Sequence, residues 1–192
     1  MINDDHPYFF INSFLDNEST YSLSKYIYLP DSLSDERITH QVDGLNFNLE
    51  YLANTLKSLE KNQELAFHSI IKTKYGKTYH IPMIDFYTEK LNIDVYYRLK
   101  NFIDYKILSN MTFYRSGNSF HGYSSKLLTQ KEWLNFMGSL LLVNPPKLTN
   151  LIIDDRWIGH RIMSGFSSLR WSNNSGIYKS IPQKTNLELS LN

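Results

Sequence analysis

Apolar and polar residues follow a strand, turn and strand pattern near the middle of the chain. An apolar run over residues 111–114 leads into the polar residues 116–119, and apolar residues return immediately afterwards. Serine, glycine and asparagine are typical of tight turns, so residues 111–123 are predicted to form a β-hairpin. His121 then lies just past the turn at a sheet edge, where an imidazole can reach an anion or a metal-bound ligand. A plain hairpin with a surface histidine is the alternative.

Apolar residues at helical spacing predict three helices. The first covers residues 45–59 and the second covers residues 91–103. The third opens with a capping box at Thr129 and Glu132 and ends before Pro145. Their apolar stripes are Leu45, Leu49, Leu52, Ala53, Leu56 and Leu59, then Leu91, Val95, Leu99, Phe102 and Ile103, and finally Trp133, Phe136, Met137, Leu140 and Leu141.

The remaining apolar runs predict strands. Residues 64–74 and 78–86 form a second hairpin around a glycine turn, and residues 151–153 form a short strand. Residues 1–44 carry short apolar clusters between polar residues, which indicates short strands or an extended arm. The polar tail over residues 183–192 is expected to fray. Antiparallel strands with covering helices predict an α+β fold.

Composition narrows the class of protein. A chain of 192 residues suits one domain. The formal net charge of +1 excludes a strongly basic surface, so nucleic acid would have to be bound by a local basic patch or through a metal ion. The sequence contains no cysteine, which rules out a thiol nucleophile, an iron–sulfur cluster and the usual zinc knuckle. No signal peptide is recognisable at the amino end and no apolar run approaches the ~18 residues of a membrane span. We expect a cytoplasmic location without a membrane partner.

Acidic residues stand at the ends of two predicted strands. Asp85 stands near the end of the second hairpin, and Asp154 and Asp155 follow residues 151–153. Helix capping and turn formation are the simpler explanations, since aspartate is favoured in both. If both strands lie beside the second strand of the central hairpin, these carboxylates converge with His121. Converging carboxylates repel one another, and a bound Mg²⁺ or Mn²⁺ is the usual resolution. The pattern therefore indicates polymerase-like chemistry, in which metal ions bind a triphosphate and assist attack by a 3′-hydroxyl.

In this order the residues resemble the motifs of the archaeo-eukaryotic primase superfamily, which includes the primase-polymerases. The second motif of that family has the form S-G-x-x-x-H, and residues 116–121 match it as S-G-N-S-F-H. The first motif supplies acids on a strand, as Asp85 does, and the third supplies an acid after an apolar strand, as at Asp154. A basic segment follows the third motif, and Arg170 stands in that place. The resemblance covers roughly residues 78–179, about half of the chain.

The resemblance implies a fold and a function. The fold is an RRM-like antiparallel sheet with covering helices, preceded by a small N-terminal α/β element. The single domain would comprise that element over residues 1–62, a catalytic-type core over residues 63–182 and the frayed tail over residues 183–192. The function is that of a primase-like or polymerase-like nucleotidyltransferase that uses Mg²⁺ or Mn²⁺. Its expected partners are a nucleoside triphosphate, nucleic acid and a partner protein in a larger assembly.

The same resemblance implies roles for individual residues. The catalytic residues are Asp85, His121 and Asp154. The metal ligands are Asp85, Asp154 and Asp155, with either Asp154 or Asp155 as the acid of the third motif. The nucleotide contacts are Ser116, Gly117, Ser119, His121, Arg170, Ser172 and Lys179.

Two departures from the family pattern bear on activity. The first motif of active members has two acids with one residue between them, whereas Tyr87 stands where the second acid is expected. A neutral phenol is a poor ligand for a hard cation. Arg170 is followed by Trp171 and Ser172, where many relatives carry proline, glycine and serine. Three interpretations stay open: a divergent nucleotidyltransferase with weak synthesis, a degenerate relative that binds nucleotide or nucleic acid within a larger assembly, and an unrelated α+β interaction module.

Overall fold

The strands are divided between two antiparallel sheets. This description covers residues 2–29, 32, 37–147 and 150–187 of a computed structural model. The first sheet contains β1 (Thr20–Ile27), β2 (Arg37–Asp43), β3 (Gln63–Lys72), β4 (Thr78–His80) and β8 (Ser168–Arg170). Its order is β2-β1-β3-β4, and β8 also pairs with β3. The second sheet contains β5 (Met83–Asp85), β6 (Met111–Arg115), β7 (Phe120–Ser124) and β9 (Gln183–Thr185), in the order β5-β7-β6-β9.

Helices cover both sheets within the described residues. They are α1 (Pro7–Asn12), α2 (Leu49–Lys57), α3 (Ile93–Phe102), α4 (Tyr105–Leu108), α5 (Gln130–Val143) and α6 (Asp155–Ser164). The capping box of Thr129 and Glu132 is present at the start of α5. Asn48 and Asn92 cap α2 and α3. The predicted α+β class with antiparallel sheets and covering helices is confirmed.

The second predicted hairpin is broken at Pro82, and this break places the candidate site. Residues 78–86 were expected to form one strand beside β3, but only Thr78–His80 pair with it. Proline has no N–H to donate to a ladder, and residues 66–68 of β3 pair with β8 instead. After Pro82 the chain enters the second sheet, where Met83–Asp85 pair with β7. Asp85 therefore lies beside the central hairpin.

The N-terminal stretch differs from its predicted strands or arm because it begins with a helix. Pro7 occupies the first turn of α1, where its missing N–H costs nothing. His6 caps this helix by accepting a hydrogen bond from the backbone N–H of Tyr8 at 3.1 Å. The prediction of strands holds for β1 and β2. Residues 1, 30, 31 and 33–36 lie outside the described residues.

Two smaller expectations also need correction. Residues 183–185 do not fray, because β9 pairs with β6 and places Lys184 opposite Tyr114. Residues 188–192 of the predicted tail lie outside the described residues. The predicted strand over residues 151–153 is reduced to a single bridge between Ile153 and Phe86.

Two hydrophobic cores hold the sheets and helices together. One joins the second sheet to α3, α5 and α6, and the other joins the first sheet to α1 and α2. Trp171 stacks on Phe67 in the second core with ring centroids 4.5 Å apart, which anchors the chain just after β8. Among the described residues, the structure contains no helix of the length and apolar character that crossing a membrane requires.

Candidate active site

A cleft of about 1230 Å³ brings together residues from both sheets and from α6. Nine of the ten residues with predicted roles line it. They are Asp85, Ser116, Gly117, Ser119, His121, Asp154, Asp155, Arg170 and Lys179. A cleft of this size has room for a nucleotide.

Asp85 and His121 lie opposite one another on neighbouring strands in this cleft. The antiparallel register of β5 and β7 pairs these two residues directly. Directly opposed residues project from the same face of a sheet. The Oδ1 atom of Asp85 lies 3.7 Å from the Nε2 atom of His121, which is longer than a hydrogen bond. The strands therefore join the first and second sequence motifs at one point.

Burial changes the preferred charge of both side chains. The pKa of Asp85 is raised to about 8, mainly by desolvation and also by the nearby charge of Asp154. Arg170 and Arg161 act in the opposite direction on this pKa. Desolvation also holds the pKa of His121 well below its usual value, and the charge of Arg170 adds to that effect. The cleft leaves 26% of the Asp85 side chain exposed, so water moderates its shift. Without a bound cation, both groups favour their neutral forms.

The main chain holds Asp154 next to Asp85. The backbone N–H of Asp154 donates a hydrogen bond to the backbone carbonyl oxygen of Asp85 at 3.0 Å. The bridge between Phe86 and Ile153 continues this contact, as does a hydrogen bond of 2.9 Å from the N–H of Tyr87 to the carbonyl oxygen of Ile152. Residues far apart in sequence thus place two carboxylates together in spite of their repulsion.

The side chain of Asp154 also caps α6. Its Oδ1 atom accepts a hydrogen bond from the backbone N–H of Trp157 at 2.9 Å. Asp155 is the first residue of that helix. The N-cap that the sequence allowed at Asp85 is therefore found at Asp154 instead, since Asp85 belongs to a strand and Asn92 caps the next helix. One oxygen of Asp154 serves the helix, and its other oxygen is not used in this cap.

The three predicted metal ligands do not form a three-residue site. Across the part of the chain that the structure describes, no group of three or more histidine, aspartate or glutamate side chains is placed to hold a metal ion. The backbone hydrogen bond from Asp154 to Asp85 keeps these two acidic residues adjacent. Mg²⁺ is commonly held by one or two carboxylates together with substrate phosphates. The Asp85 and Asp154 pair fits one ion completed by a triphosphate, and it does not fit a closed protein cage.

Tyr87 lines the cleft at the position where the family pattern has its second acid. Its side chain is 61% exposed. Residues two apart on an extended chain project to the same side, so Tyr87 and Asp85 share a side of this segment. The structure therefore places a phenol where a second carboxylate would extend the pair of acids.

The turn between β6 and β7 approaches the segment that carries Lys179. Gly117 has a φ of 109°, which favours glycine. The N–H of Ser116 donates to the carbonyl oxygen of Ser119 at 3.0 Å, which closes the turn. A Cβ atom on Gly117 would lie 3.6 Å from the backbone nitrogen of Lys179. The close approach of these two segments forms one wall of the cleft.

Arg170 holds that wall together. Its Nη2 donates to the carbonyl oxygen of Ser116 at 2.8 Å, and its Nη1 donates to that of Ser180 at 3.1 Å and to that of Ser172. The guanidinium carbon lies 3.9 Å from the ring centroid of Tyr178. The side chain is buried, and these bonds use three of the five N–H donors of an arginine. Arg170 thus positions the turn while its charge acts on Asp85 and His121.

Ser172 lies outside the cleft lining, unlike the other predicted nucleotide contacts. Its hydroxyl accepts a hydrogen bond from the N–H of Leu65 at 2.7 Å and donates one to the buried carboxylate of Glu64. The same carboxylate accepts from the backbone N–H groups of Asn174 and Ser175 at 3.0 and 2.8 Å. Ser172 therefore belongs to a network that shapes the loop after β8.

Three arginines that the sequence motifs do not single out, Arg37, Arg156 and Arg161, also line the cleft. The Nη1 of Arg161 donates to the Ser168 hydroxyl at 2.7 Å. The Nη1 of Arg37 donates to the Ser24 hydroxyl at 3.0 Å, and its guanidinium carbon lies 4.3 Å from the ring centroid of Tyr26. The sequence did offer a signal for Arg161, because this residue lies on the helix that Asp154 caps. No local pattern connects Arg37 with the motifs.

Comparison with known families matches residues 43–183 to the family described as archaeo-eukaryotic primase 1D-like. No curated protein and no solved structure matches the chain. The matched stretch contains Asp85, His121 and Asp154. It begins after Tyr28 and Arg37, so the cleft wall that β1 and β2 contribute lies outside the match.

Proposed function

The chain belongs to the archaeo-eukaryotic primase-like family, and from this premise we propose that it is a metal-dependent nucleotidyltransferase of the primase or polymerase type. Family membership indicates a primase-like function in general terms. The finer proposal is that the protein binds nucleoside triphosphates and nucleic acid in the cytoplasm and makes or extends short strands slowly. The meeting of Asp85, His121 and Asp154 in one large cleft is the observation that carries it.

In this proposal Asp85 and Asp154 hold one Mg²⁺ or Mn²⁺ together with the triphosphate. When bound, such an ion neutralises phosphate charge and stabilises charge that develops during in-line displacement. Asp85 would give up its proton on binding, since its raised pKa reflects desolvation and the charge of Asp154. Asp154 is a better candidate for this role than Asp155, because its backbone N–H donates a hydrogen bond to the carbonyl oxygen of Asp85.

His121 and Lys179 are the proposed phosphate contacts. Among the described residues, the Nδ1 atom of His121 is buried and has no hydrogen-bond partner. A buried polar atom without a partner is costly, and a phosphate oxygen would supply one. Lys179 is exposed beside the turn and contributes charge. Arg170 is not proposed as a direct phosphate ligand, because its donors already bind the carbonyl oxygens of Ser116 and Ser180. It positions the turn and contributes long-range positive charge.

Slow synthesis follows from Tyr87. A second ion that activates the 3′-hydroxyl would need a further carboxylate, and Tyr87 does not provide one. The protein would then act by positioning the reactants and neutralising charge around one ion. We expect more product with Mn²⁺ than with Mg²⁺, because Mg²⁺ demands near-ideal octahedral geometry.

A second candidate is a degenerate relative that binds nucleotide or nucleic acid within a larger assembly. Tyr87 and the lack of a three-residue metal group among the described residues favour it. It retains the cleft, His121 and Lys179 for binding and makes no product. The two candidates therefore differ in synthesis and agree in nucleotide binding.

The test is primer extension and de novo dinucleotide formation with Mn²⁺ or Mg²⁺, alongside nucleotide binding. Asp85→Asn removes the central carboxylate, and Asp94→Asn, on the exposed surface of α3, is the matched control. Product in the wild type and the control but not in Asp85→Asn supports the enzyme. Nucleotide binding without product in any protein supports the binding subunit. A wild type that does neither contradicts both candidates.

A further inference from the structure

One lip of the cleft is apolar although the cleft itself is rich in charge. Among the described residues, nine charged side chains line the cleft, namely Arg37, Arg156, Arg161, Arg170, Lys179, Asp85, Glu89, Asp154 and Asp155. The lip consists of Tyr28, Leu29 and Ile177, which are 43%, 43% and 59% exposed. Exposed apolar side chains that share one edge of a binding cleft indicate a ligand with an apolar face.

The lip is connected to the carboxylates through two side chains. The ring of Tyr28 lies 6.4 Å from that of Tyr178, tilted by 57°. Tyr178 in turn packs against the guanidinium of Arg170 at 3.9 Å. The charge of Arg170 acts directly on Asp85. Tyr178 therefore separates Tyr28 from the charged part of the cleft. This arrangement matches a ligand with one highly charged end and one flat aromatic end.

The inner members of this aromatic group are held in place. Tyr26 is only 7% exposed and lies under the guanidinium of Arg37. Tyr178 is partly buried between Arg170 and its aromatic neighbours. The 57° tilt between Tyr28 and Tyr178 leaves no parallel slot between the two rings. Among Tyr26, Tyr28 and Tyr178, the most exposed ring is therefore that of Tyr28.

We propose that Tyr28, supported by Leu29 and Ile177, is the platform on which the base of the bound nucleoside triphosphate stacks. This inference rests on the proposed function and deepens it, because it assigns the base end of the ligand. The triphosphate lies toward His121 and Lys179, and the base lies against the lip. Stacking on a phenol is tolerant of base identity because every base has a π-face. Tyr28, which follows the end of β1 and lies outside the stretch matched to the family, thus supplies base affinity to the cleft.

The test compares ATP with inorganic tripolyphosphate, which has the phosphates and lacks the base. Binding of each to the full chain is measured by calorimetry with Mn²⁺ for the wild type, Tyr28→Ala and Tyr28→Phe. Tyr105→Ala is the matched control, since Tyr105 is 72% exposed on α4 and lies away from the cleft lining. Melting temperatures establish that each variant is folded.

Tyr28→Ala is expected to weaken ATP binding by about fivefold to a hundredfold, the range that loss of one base–aromatic stack produces, and to leave tripolyphosphate binding unchanged. Tyr28→Phe and Tyr105→Ala should bind both ligands as the wild type does. Equal losses for ATP and tripolyphosphate in Tyr28→Ala, or no loss for either, would overturn the platform while leaving the proposed function intact. If a single-stranded oligonucleotide titrated in the same way binds Tyr28→Ala more weakly while ATP binding is unchanged, the platform is also overturned and Tyr28 is assigned to the strand. A wild type that binds neither ligand would remove the proposed function itself.

Discussion

The backbone N–H of Asp154 donates a hydrogen bond to the backbone carbonyl oxygen of Asp85 at 3.0 Å, so the main chain fixes the separation of the two acids. The main chains of the two residues cannot move apart without breaking this contact and the bridge between Phe86 and Ile153. Desolvation and the charge of Asp154 both raise the pKa of Asp85, and the neutral form of Asp85 relieves the repulsion. A cation is the ligand that would relieve it most directly.

Separate substitution of Asp154 and of Asp155 should distinguish the roles of these two neighbouring acids. Asp154→Asn should weaken Mn²⁺-dependent nucleotide binding at least tenfold, whereas Asp155→Asn should change it less than threefold, estimates based on a charged hydrogen bond or ion contact of roughly 1.5–3 kcal/mol. Asparagine caps helices about as well as aspartate, so Asp154→Asn should keep the melting temperature within a few degrees. Calorimetric titration and thermal unfolding measure both effects. A larger loss in Asp155→Asn would assign the third-motif acid to Asp155.

Introduction of a second carboxylate should increase synthesis if its absence limits the reaction. Tyr87→Asp should raise the rate of primer extension in Mg²⁺ by about tenfold or more, since one added ligand contact of ~1.4 kcal/mol corresponds to that factor. Tyr87 is largely exposed, so the change should have little effect on stability. Extension of a labelled primer is the measurement, with Tyr97→Asp on α3 as a control for added surface charge. A wild type fully active in Mg²⁺ that Tyr87→Asp inactivates would contradict the account of a degraded site.

Arg170 should prove to be a stability residue as well as a source of charge. Arg170→Lys and Arg170→Ala should both lower the free energy of unfolding by roughly 2–4 kcal/mol, because one lysine cannot serve the carbonyl oxygens of Ser116, Ser172 and Ser180 together. Lys179→Ala, at an exposed position, should weaken nucleotide binding and leave stability unchanged. Urea unfolding and nucleotide titration distinguish these patterns. A fully stable Arg170→Lys protein would show that the backbone contacts are dispensable.

Buried histidines should make the protein sensitive to acid. Burial lowers the pKa of His6 to about 4 and, together with the charges of Arg37 and Arg161, that of His68 to about 3. Below pH ~6.5 the unfolded chain binds protons that the folded chain does not, so this stability is complete above pH ~6.5 and is lost as pH falls toward the folded-state pKa values. Each group should contribute a fall of roughly 2–3 kcal/mol between pH 6.5 and 4.5.

The variant His6→Gln isolates one of these contributions. It should show a smaller decrease in the free energy of unfolding between the two pH values than the wild type, measured by urea unfolding at each pH. Its unfolding free energy at pH 7.5 provides the reference for the loss of the contact between the His6 Nε2 and the Trp171 carbonyl oxygen. An identical decrease in both proteins would mean that His6 already binds a proton in the folded state.

The elements that depend on neighbouring residues were predictable from the sequence. The central hairpin, the S-G-x-x-x-H spacing, and the capping box of Thr129 and Glu132 all depend on contacts within a few residues. Turn sterics and side-chain capping act over that range, which is why these patterns are readable in the chain itself. The same local information was misleading at Pro82, where one apolar run serves two sheets.

Tertiary structure alone decided which distant groups meet. The pairing of Asp85 with His121, the backbone bond from Asp154, and the clamp of Arg170 on the carbonyl oxygen of Ser116 join segments widely separated in the chain. The sequence predicted that acids and a histidine could converge. It could not distinguish Asp154 from Asp155, and it could not show that Ser172 lies outside the cleft lining. These outcomes depend on strand pairing and packing between remote segments, whose free energies are not encoded in any local pattern.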